Sequence, residues 1–218
     1  MKLFLDSADI QEIKNVQSTG LLDGITTNPT LILKSGRDHK ETIQEIAKYV
    51  KGPISVEGIG STCDQLVKDA EKFAAWAPNV VAKIPMTFEG LKAVQILSQK
   101  NIPTNVTLVF SVAQAVLVAK AGATYVSPFV GRLDDQGSVG MNLIQDLVTV
   151  YKNYGFKTKI LVASIRSVQH IEEAAKLGAD ICTIPYSLFE NLSKHHLTDK
   201  GILRFEEDYR KAMSVFKE

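Results

Sequence analysis

Eight short β-rich runs alternate with helical stretches, polar side chains gather at the carboxyl ends of those runs, and one apolar segment is left over at the C-terminus. Together these predict an α/β protein: a single (β/α)8 TIM barrel domain over residues 1–218, with an extra C-terminal helix at about 202–216. The runs start 22 to 34 residues apart, room for a crossover helix in every gap, as parallel pairing requires. An open doubly wound sheet would accept the same alternation, but eight is the strand number whose side chains fill a closed barrel. The length of 218 residues suits one such barrel, and no Pro-rich, Ser-rich or charge-block linker divides the chain.

In chain order, the strands are expected at 2–6, 24–28, 53–58, 80–85, 103–109, 125–130, 159–164 and 181–185. The first is the apolar run Leu3-Phe4-Leu5 closed by Asp6; it is too short for a secretory signal, and the chain is expected in the cytoplasm. After the fourth strand, Leu91, Val94, Ile96 and Leu97 recur at helical spacing, and after the sixth so do Leu143, Ile144, Leu147, Val148 and Tyr151. Gly122 and Gly178, in Ala-Gly-Ala and Leu-Gly-Ala turns, read as left-handed caps that end two helices. A further helix is expected to begin near Ser167. Past the eighth helix, Ile202, Leu203, Phe205, Tyr209, Met213 and Phe216 have no core position left in a complete barrel, so this helix is expected to serve as a lid or a subunit contact.

Composition narrows the partner. Twenty-five basic against 24 acidic residues leave a formal charge of +1 with no basic run, which argues against nucleic acid, whose backbone is bound by clustered Lys and Arg. The longest apolar stretch, Val106 to Ala119, is interrupted by Thr107, Ser111 and Gln114 and falls short of the roughly 20 residues a bilayer demands, so no membrane partner is expected. Cys63 and Cys182 form no CxxC pair and read as reduced packing residues. His39, His170, His195 and His196 all fall in helices or loops and none at a strand end, so no metal site is expected; GxGxxG and GxxxxGK[ST] are absent, so no nucleotide cofactor is expected either.

Side chains alternate along a strand, so residues of one parity face the lumen. Taking the polar residue near each strand's end as inward gives Asp6, Thr26 and Asn28, Ser55 and Glu57, Lys83, Asn105 and Thr107, Ser127 with Phe129, and Ser164. An idle barrel would fill that space with Val, Ile and Leu, since each buried polar group without a partner costs about 1 to 3 kcal/mol. Lys83 is the sharpest of the set. Lysine is almost never fully buried, and an ammonium removed from water favours the neutral, nucleophilic amine that attacks ketones to form a Schiff base. A lysine of the opposite parity would instead snorkel outward. Asp6 and Glu57 could move the protons that imine chemistry requires, or could simply pair with Lys83. Arg132, past the sixth strand, and Ser164 with Arg166, past the seventh, lie beside the helix start at Ser167 and suit a phosphate dianion, although each arginine alone could be a surface residue.

Those residues also carry a resemblance. Phe4-Leu5-Asp6-Ser7-Ala8, Gly24-Ile25-Thr26-Thr27-Asn28-Pro29, Val81-Ala82-Lys83-Ile84-Pro85, Asn105-Val106-Thr107, Ser127-Pro128-Phe129-Val130-Gly131-Arg132 and Ala163-Ser164-Ile165-Arg166 resemble the motifs of the transaldolase family, in its short subfamily that also contains fructose-6-phosphate aldolase. The resemblance spans essentially the whole chain. It implies a Schiff-base Lys83, no metal or organic cofactor, and rings of five subunits, often paired into ten, with the C-terminal helix reaching onto a neighbour. It implies that Asp6 takes the proton from the hydroxyl at the breaking bond and that Glu57 and Thr107 hold a proton-shuttling water. Asn28, Asn105 and Ser127 would bind the retained three-carbon unit, and Arg132, Ser164 and Arg166 the distal phosphate of a sugar-phosphate substrate. Aldolases of the subfamily carry Gln at the place of Glu57, an apolar residue at that of Asn105, Ala at that of Ser127 and Tyr at that of Phe129. The resemblance therefore implies a transaldolase of the pentose phosphate pathway, with fructose-6-phosphate aldolase as the alternative.

Overall fold

The structure is a computed structural model that describes residues 1–215; Phe216, counted in the expected C-terminal helix, lies outside them. Strands β1 (Lys2–Asp6), β2 (Gly24–Thr26), β3 (Ile54–Glu57), β4 (Val80–Pro85), β5 (Thr104–Val109), β6 (Tyr125–Pro128), β7 (Lys159–Val162) and β8 (Ile181–Ile184) follow one another around a closed parallel barrel. β1 closes it against β8, Lys2 opposite Ile181 and Leu5 opposite Ile184. The fold is the (β/α)8 barrel, and the open sheet is excluded.

The crossovers are α1 (Ile10–Gln17), α2 (Pro29–Ser35) with α3 (His39–Tyr49), α4 (Cys63–Ala74), α5 (Phe88–Gln99), α6 (Val112–Lys120), α7 (Val130–Asp134) with α8 (Gly140–Tyr154), and α9 (Val168–Leu177). Their starts are written in the sequence. Asp9, Asn28, Asp38, Thr62, Thr87, Ser111 and Ser167 each accept a backbone N–H of the helix they precede, a contact worth about 1 kcal/mol. Gly122 and Gly178 stand past α6 and α9 in the left-handed conformation, with φ of 87° and 86°.

Two separate apolar clusters follow from strand parity. The larger lies between sheet and helices and takes Leu5, Ile25, Ile54, Val56, Ala82, Ile84, Val106 and Cys182 from the strands. The smaller, Phe4, Leu161, Ala163 and Ile181 with Tyr125 and Phe129, lies inside the barrel. Phe4 meets Tyr125 edge to face at 6.4 Å across the lumen. Gly24 makes room for that ring, because a Cβ there would sit 2.7 Å from two of its carbons. Cys63 and Cys182 are unpaired, and burial pushes the Cys182 thiol up to about 12, the state of an inert packing group.

Several expected boundaries shift. β2 ends at Thr26, two residues early, because Asn28 caps α2 and Pro29 occupies its first turn, where its fixed φ and missing N–H favour helix over strand. β6 and β7 stop at Pro128 and Val162; Phe129 keeps one bridge to Ala163, and Ser164 turns to φ 58°. The extra helix, α11 (His196–Val215), begins six residues before Ile202 and follows the short α10 (Tyr186–Asn191). None of its residues is buried. Among the described residues, no helix is long and apolar enough to cross a membrane.

Candidate active site

Register gathers the polar residues at the carboxyl end of the barrel. Asp6 stands opposite Thr26, Thr26 opposite Ser55, Glu57 opposite Lys83 and Lys83 opposite Asn105. Contacts between strands that are not neighbours must cross the lumen, and three such contacts establish that these side chains point inward. Thr26 of β2 meets Thr183 of β8, their hydroxyls 2.6 Å apart. The Asn105 amide of β5 donates to Ser55 Oγ of β3 at 3.0 Å. Lys83 Nζ of β4 donates to the Thr27 carbonyl, just past β2, at 3.1 Å.

Lys83 is 6% exposed, and its ammonium sits 3.0 Å from Glu57 Oε2, whose side chain is 15% exposed. Lys83 therefore faces inward, the alternative of an outward, snorkelling lysine is excluded, and its neighbourhood is charged and hydrogen-bonded rather than apolar. Of the two carboxylates, Glu57 is the ion-pair partner. Asp6 accepts a hydrogen bond from Thr26 Oγ1 at 2.6 Å, so Thr183 donates to Thr26 in turn. Burial raises the Asp6 carboxyl above its ordinary value, opposed by the Thr26 bond and the Lys83 charge and reinforced by the Glu57 charge.

Beside Lys83 runs a second string. Ser127 Oγ donates to Asn105 Oδ1 at 2.7 Å and the Asn105 amide donates to Ser55, all three side chains being buried. Thr107 Oγ1 is buried without a hydrogen-bond partner among the described residues. Thr107 lies within an irregularity in the β5–β6 register, between Val106 and Val109, where Leu108 adopts φ 61°. A bulge of this kind re-aims the side chains around it.

A cavity of about 200 Å³ opens over these groups, lined by Asp6, Thr26, Asn28, Lys83, Ser127, Phe129, Arg132, Ser164, Arg166 and Thr183 among others. That is below the ~300 Å³ at which pockets for drug-sized ligands begin, and suits a small polar molecule. Eight of the eleven residues expected from the sequence line it; Glu57, Asn105 and Thr107 do not, the first two standing behind Lys83 and Ser127 as their partners. The Arg132 guanidinium lies 5.0 Å over the Phe129 ring, which meets Phe110 edge to face at 5.9 Å. Arg166 is exposed and pairs with Asp135 at 2.9 Å. The close approach of α7 to the end of β7 depends on Gly131: its N–H donates to the Ser164 carbonyl at 3.0 Å, and a Cβ would fall 2.2 Å from that oxygen.

Thr183, Thr27 and Asp135 were not expected. Thr183 had a signal, since it shares the parity of Ile181 near the end of the eighth strand. Thr27 acts through its carbonyl and Asp135 from a loop, and neither position has a side-chain pattern to find.

A family model for Transaldolase/Fructose-6-phosphate aldolase matches residues 3–217 of this chain. Among curated relatives, "Probable transaldolase 2" of Listeria monocytogenes is 57% identical over 209 residues, 96% of each chain. "Probable transaldolase" of Caldicellulosiruptor saccharolyticus is 56% identical over 97% of this chain and 98% of its own, and that of Aquifex aeolicus 54% over 97% of both.

Proposed function

Since the chain belongs to the Transaldolase/Fructose-6-phosphate aldolase family, an enzyme family, we propose that it is a transaldolase. It carries a dihydroxyacetone unit from sedoheptulose 7-phosphate or fructose 6-phosphate to an aldose phosphate through a Schiff base on Lys83, as a cytoplasmic step of the pentose phosphate pathway. The observation that carries this reading is the Lys83 amine, buried at the end of β4 and held 3.0 Å from a carboxylate that can take its proton.

The chemistry runs as follows. Glu57 accepts the ammonium proton, and the freed lone pair of Nζ adds to the ketose carbonyl carbon. The carbinolamine loses its hydroxyl as water, with Glu57 returning the proton by way of a water held on the Thr107 hydroxyl. Asp6 then takes the proton of the hydroxyl on the carbon at the far end of the bond to be cleaved. The carbon–carbon bond breaks, its electrons pass into the imine, and an aldose phosphate leaves an enamine behind. The incoming aldehyde is attacked by that enamine, its oxygen recovers the proton from Asp6, and hydrolysis of the new imine returns the Lys83 amine. Asn28 and Ser127 hold the hydroxyls of the retained unit, and Asn105 serves it from behind, its amide fixing Ser127 in the Ser127–Asn105–Ser55 string before substrate arrives. Arg132, Ser164 and Arg166 take the phosphate.

Transfer rather than release is supported by Phe129, which brings no proton to the cavity that an enamine could take, and by the relatives' names. The surface of α11 supports assembly into pentamers or decamers, its apolar residues seated on a second copy of the chain.

Borohydride reduction with fructose 6-phosphate should attach a three-carbon fragment to the Lys83 peptide, and Lys83→Ala should be inactive. An adduct elsewhere, or an active Lys83→Ala, overturns the mechanism. Without an acceptor the wild type should release almost no dihydroxyacetone, and Phe129→Tyr should release more; rapid release by the wild type would make the protein the aldolase instead.

A further inference from the structure

We propose that His170 is a positioning residue for recognition of phosphorylated substrates: its imidazole ties α7, which carries Arg132, to the turn that carries Arg166, and so fixes the spacing of the two guanidiniums. The inference rests on the phosphate reading of those arginines given above.

His170 is the third residue of α9 and its side chain is 15% exposed. Its Nδ1 accepts the Arg166 backbone N–H at 3.3 Å. A nitrogen that accepts carries no proton, so in the neutral ring the proton resides on Nε2. Nε2 faces Asp134 Oδ2 at 3.1 Å, a polar contact between the two side chains. The other oxygen of Asp134 accepts the Gly140 backbone N–H at 2.8 Å. One imidazole thus spans two elements that the chain separates by more than 30 residues, one nitrogen hydrogen-bonded to the Arg166 backbone and the other in polar contact with Asp134.

What this span does follows from the shape of α7, a helix of five residues with no side-chain cap. Its N-terminal end is strapped to the end of β7 by Val130 N–H to the Ala163 carbonyl at 3.1 Å and Gly131 N–H to the Ser164 carbonyl at 3.0 Å. Its C-terminal end is held to α9 through Asp134 and His170. Arg132 sits between the two fixings. A helix this short has little cooperative stability of its own, so releasing Asp134 leaves Arg132 on an element anchored at one end. Releasing Nδ1 at the same time frees the Arg166 backbone. A plain helix cap would account for the contact to Arg166, as a third-position side chain reaching back does in a capping box. It does not account for the contact to Asp134 on another element.

Three variants separate the parts: His170→Asn keeps an acceptor near the Nδ1 position, His170→Gln keeps a donor near the Nε2 position, and His170→Phe keeps neither. In the purified full-length protein, His170→Phe should raise KM for fructose 6-phosphate roughly tenfold with kcat within about twofold. Kinetics with unphosphorylated fructose as donor should be unchanged. His170→Asn and His170→Gln should each recover part of the loss, and Asp134→Ala, which also releases the Gly140 N–H, should add little to His170→Phe in KM for the phosphorylated donor, since on that readout both cut the same tie. Equal losses on both donors, a fall in kcat alone, or unchanged KM in His170→Phe would overturn the proposal. If His170→Phe does not fold, the same split is read in the Asn and Gln variants, and its absence there overturns it equally. Arg132→Ala and Arg166→Ala are measured alongside. If they fail to discriminate phosphorylated from unphosphorylated donors, the phosphate reading has fallen; if they discriminate and the His170 variants do not, only the tie has.

Discussion

Asp6 shows how a single carboxyl is tuned by what surrounds it. Burial disfavours its ionised form, and the 2.6 Å bond from Thr26 works the other way. In the base role proposed for it Asp6 acts only when ionised, so kcat/KM should fall on the acid side at a pH above the 3.8 of an ordinary aspartate. Thr26→Val removes the stabilising donor and should move that acid limb to higher pH; a profile unmoved or displaced to lower pH would show that Thr26 does not tune Asp6. The stability linkage has a fixed sign. A carboxyl raised in the folded state favours folding most below its unfolded value, and that contribution is lost as pH rises from about 3.8 through the folded value. At neutral pH, Asp6→Asn should therefore stabilise the fold while abolishing turnover, as a thermal melt beside an activity assay would report. Residue identities of this kind were legible in the sequence because parity puts Asp6, Thr26, Ser55, Lys83 and Asn105 on one face. Who bonds to whom was not legible: the pairing of Glu57 with Lys83 and of Asn105 with Ser127 depends on register, which no single strand encodes.

At the scale of elements, strands and helices were readable and their ends were not. Where Asn28-Pro29 stood, the helix-start chemistry overrode the strand pattern; where Phe129 and Ser164 stood, a strand-like composition ran on into turns that only the packing of α7 against β7 dictates. That packing has one weak point. Gly131→Ala would place a methyl 2.2 Å from the Ser164 carbonyl, so α7 must lift away and carry Arg132 with it. Overpacking of this type costs about 1 to 3 kcal/mol, and use of phosphorylated donors should fall with it by roughly tenfold or more. An alanine variant with wild-type melting temperature and unchanged KM would show that α7 has slack to move.

Across the whole molecule, the part that stands apart is α11. Ile202, Phe205, Tyr209 and Met213 recur at spacings of three and four, and all four are exposed together with Leu197, Leu203 and Val215. A run of exposed apolar residues of this kind suits the subunit contact proposed above. Light scattering at micromolar concentration should find an oligomer, and a chain ending before Gly201 should dissociate; a monomeric full-length protein, or a truncated one that stays assembled, would contradict the assembly proposed here. The start of this helix at His196 escaped the sequence reading because its first turn, His196-Leu197-Thr198-Asp199, has no apolar periodicity. The apolar plug of Phe4, Leu161 and Ile181 has a consequence in the order of events. It fills the lumen with apolar side chains, while the cavity that Lys83 lines takes its other walls from residues at and past the carboxyl ends of the strands. With a cavity of about 200 Å³ there, the proposed transfer requires the departing aldehyde to clear the doorway before its successor enters. On the mechanism proposed above the two aldehydes then compete for the one enamine form of the protein, and a double-displacement rate law is the expected signature of a reactive amine set over a phenylalanine floor.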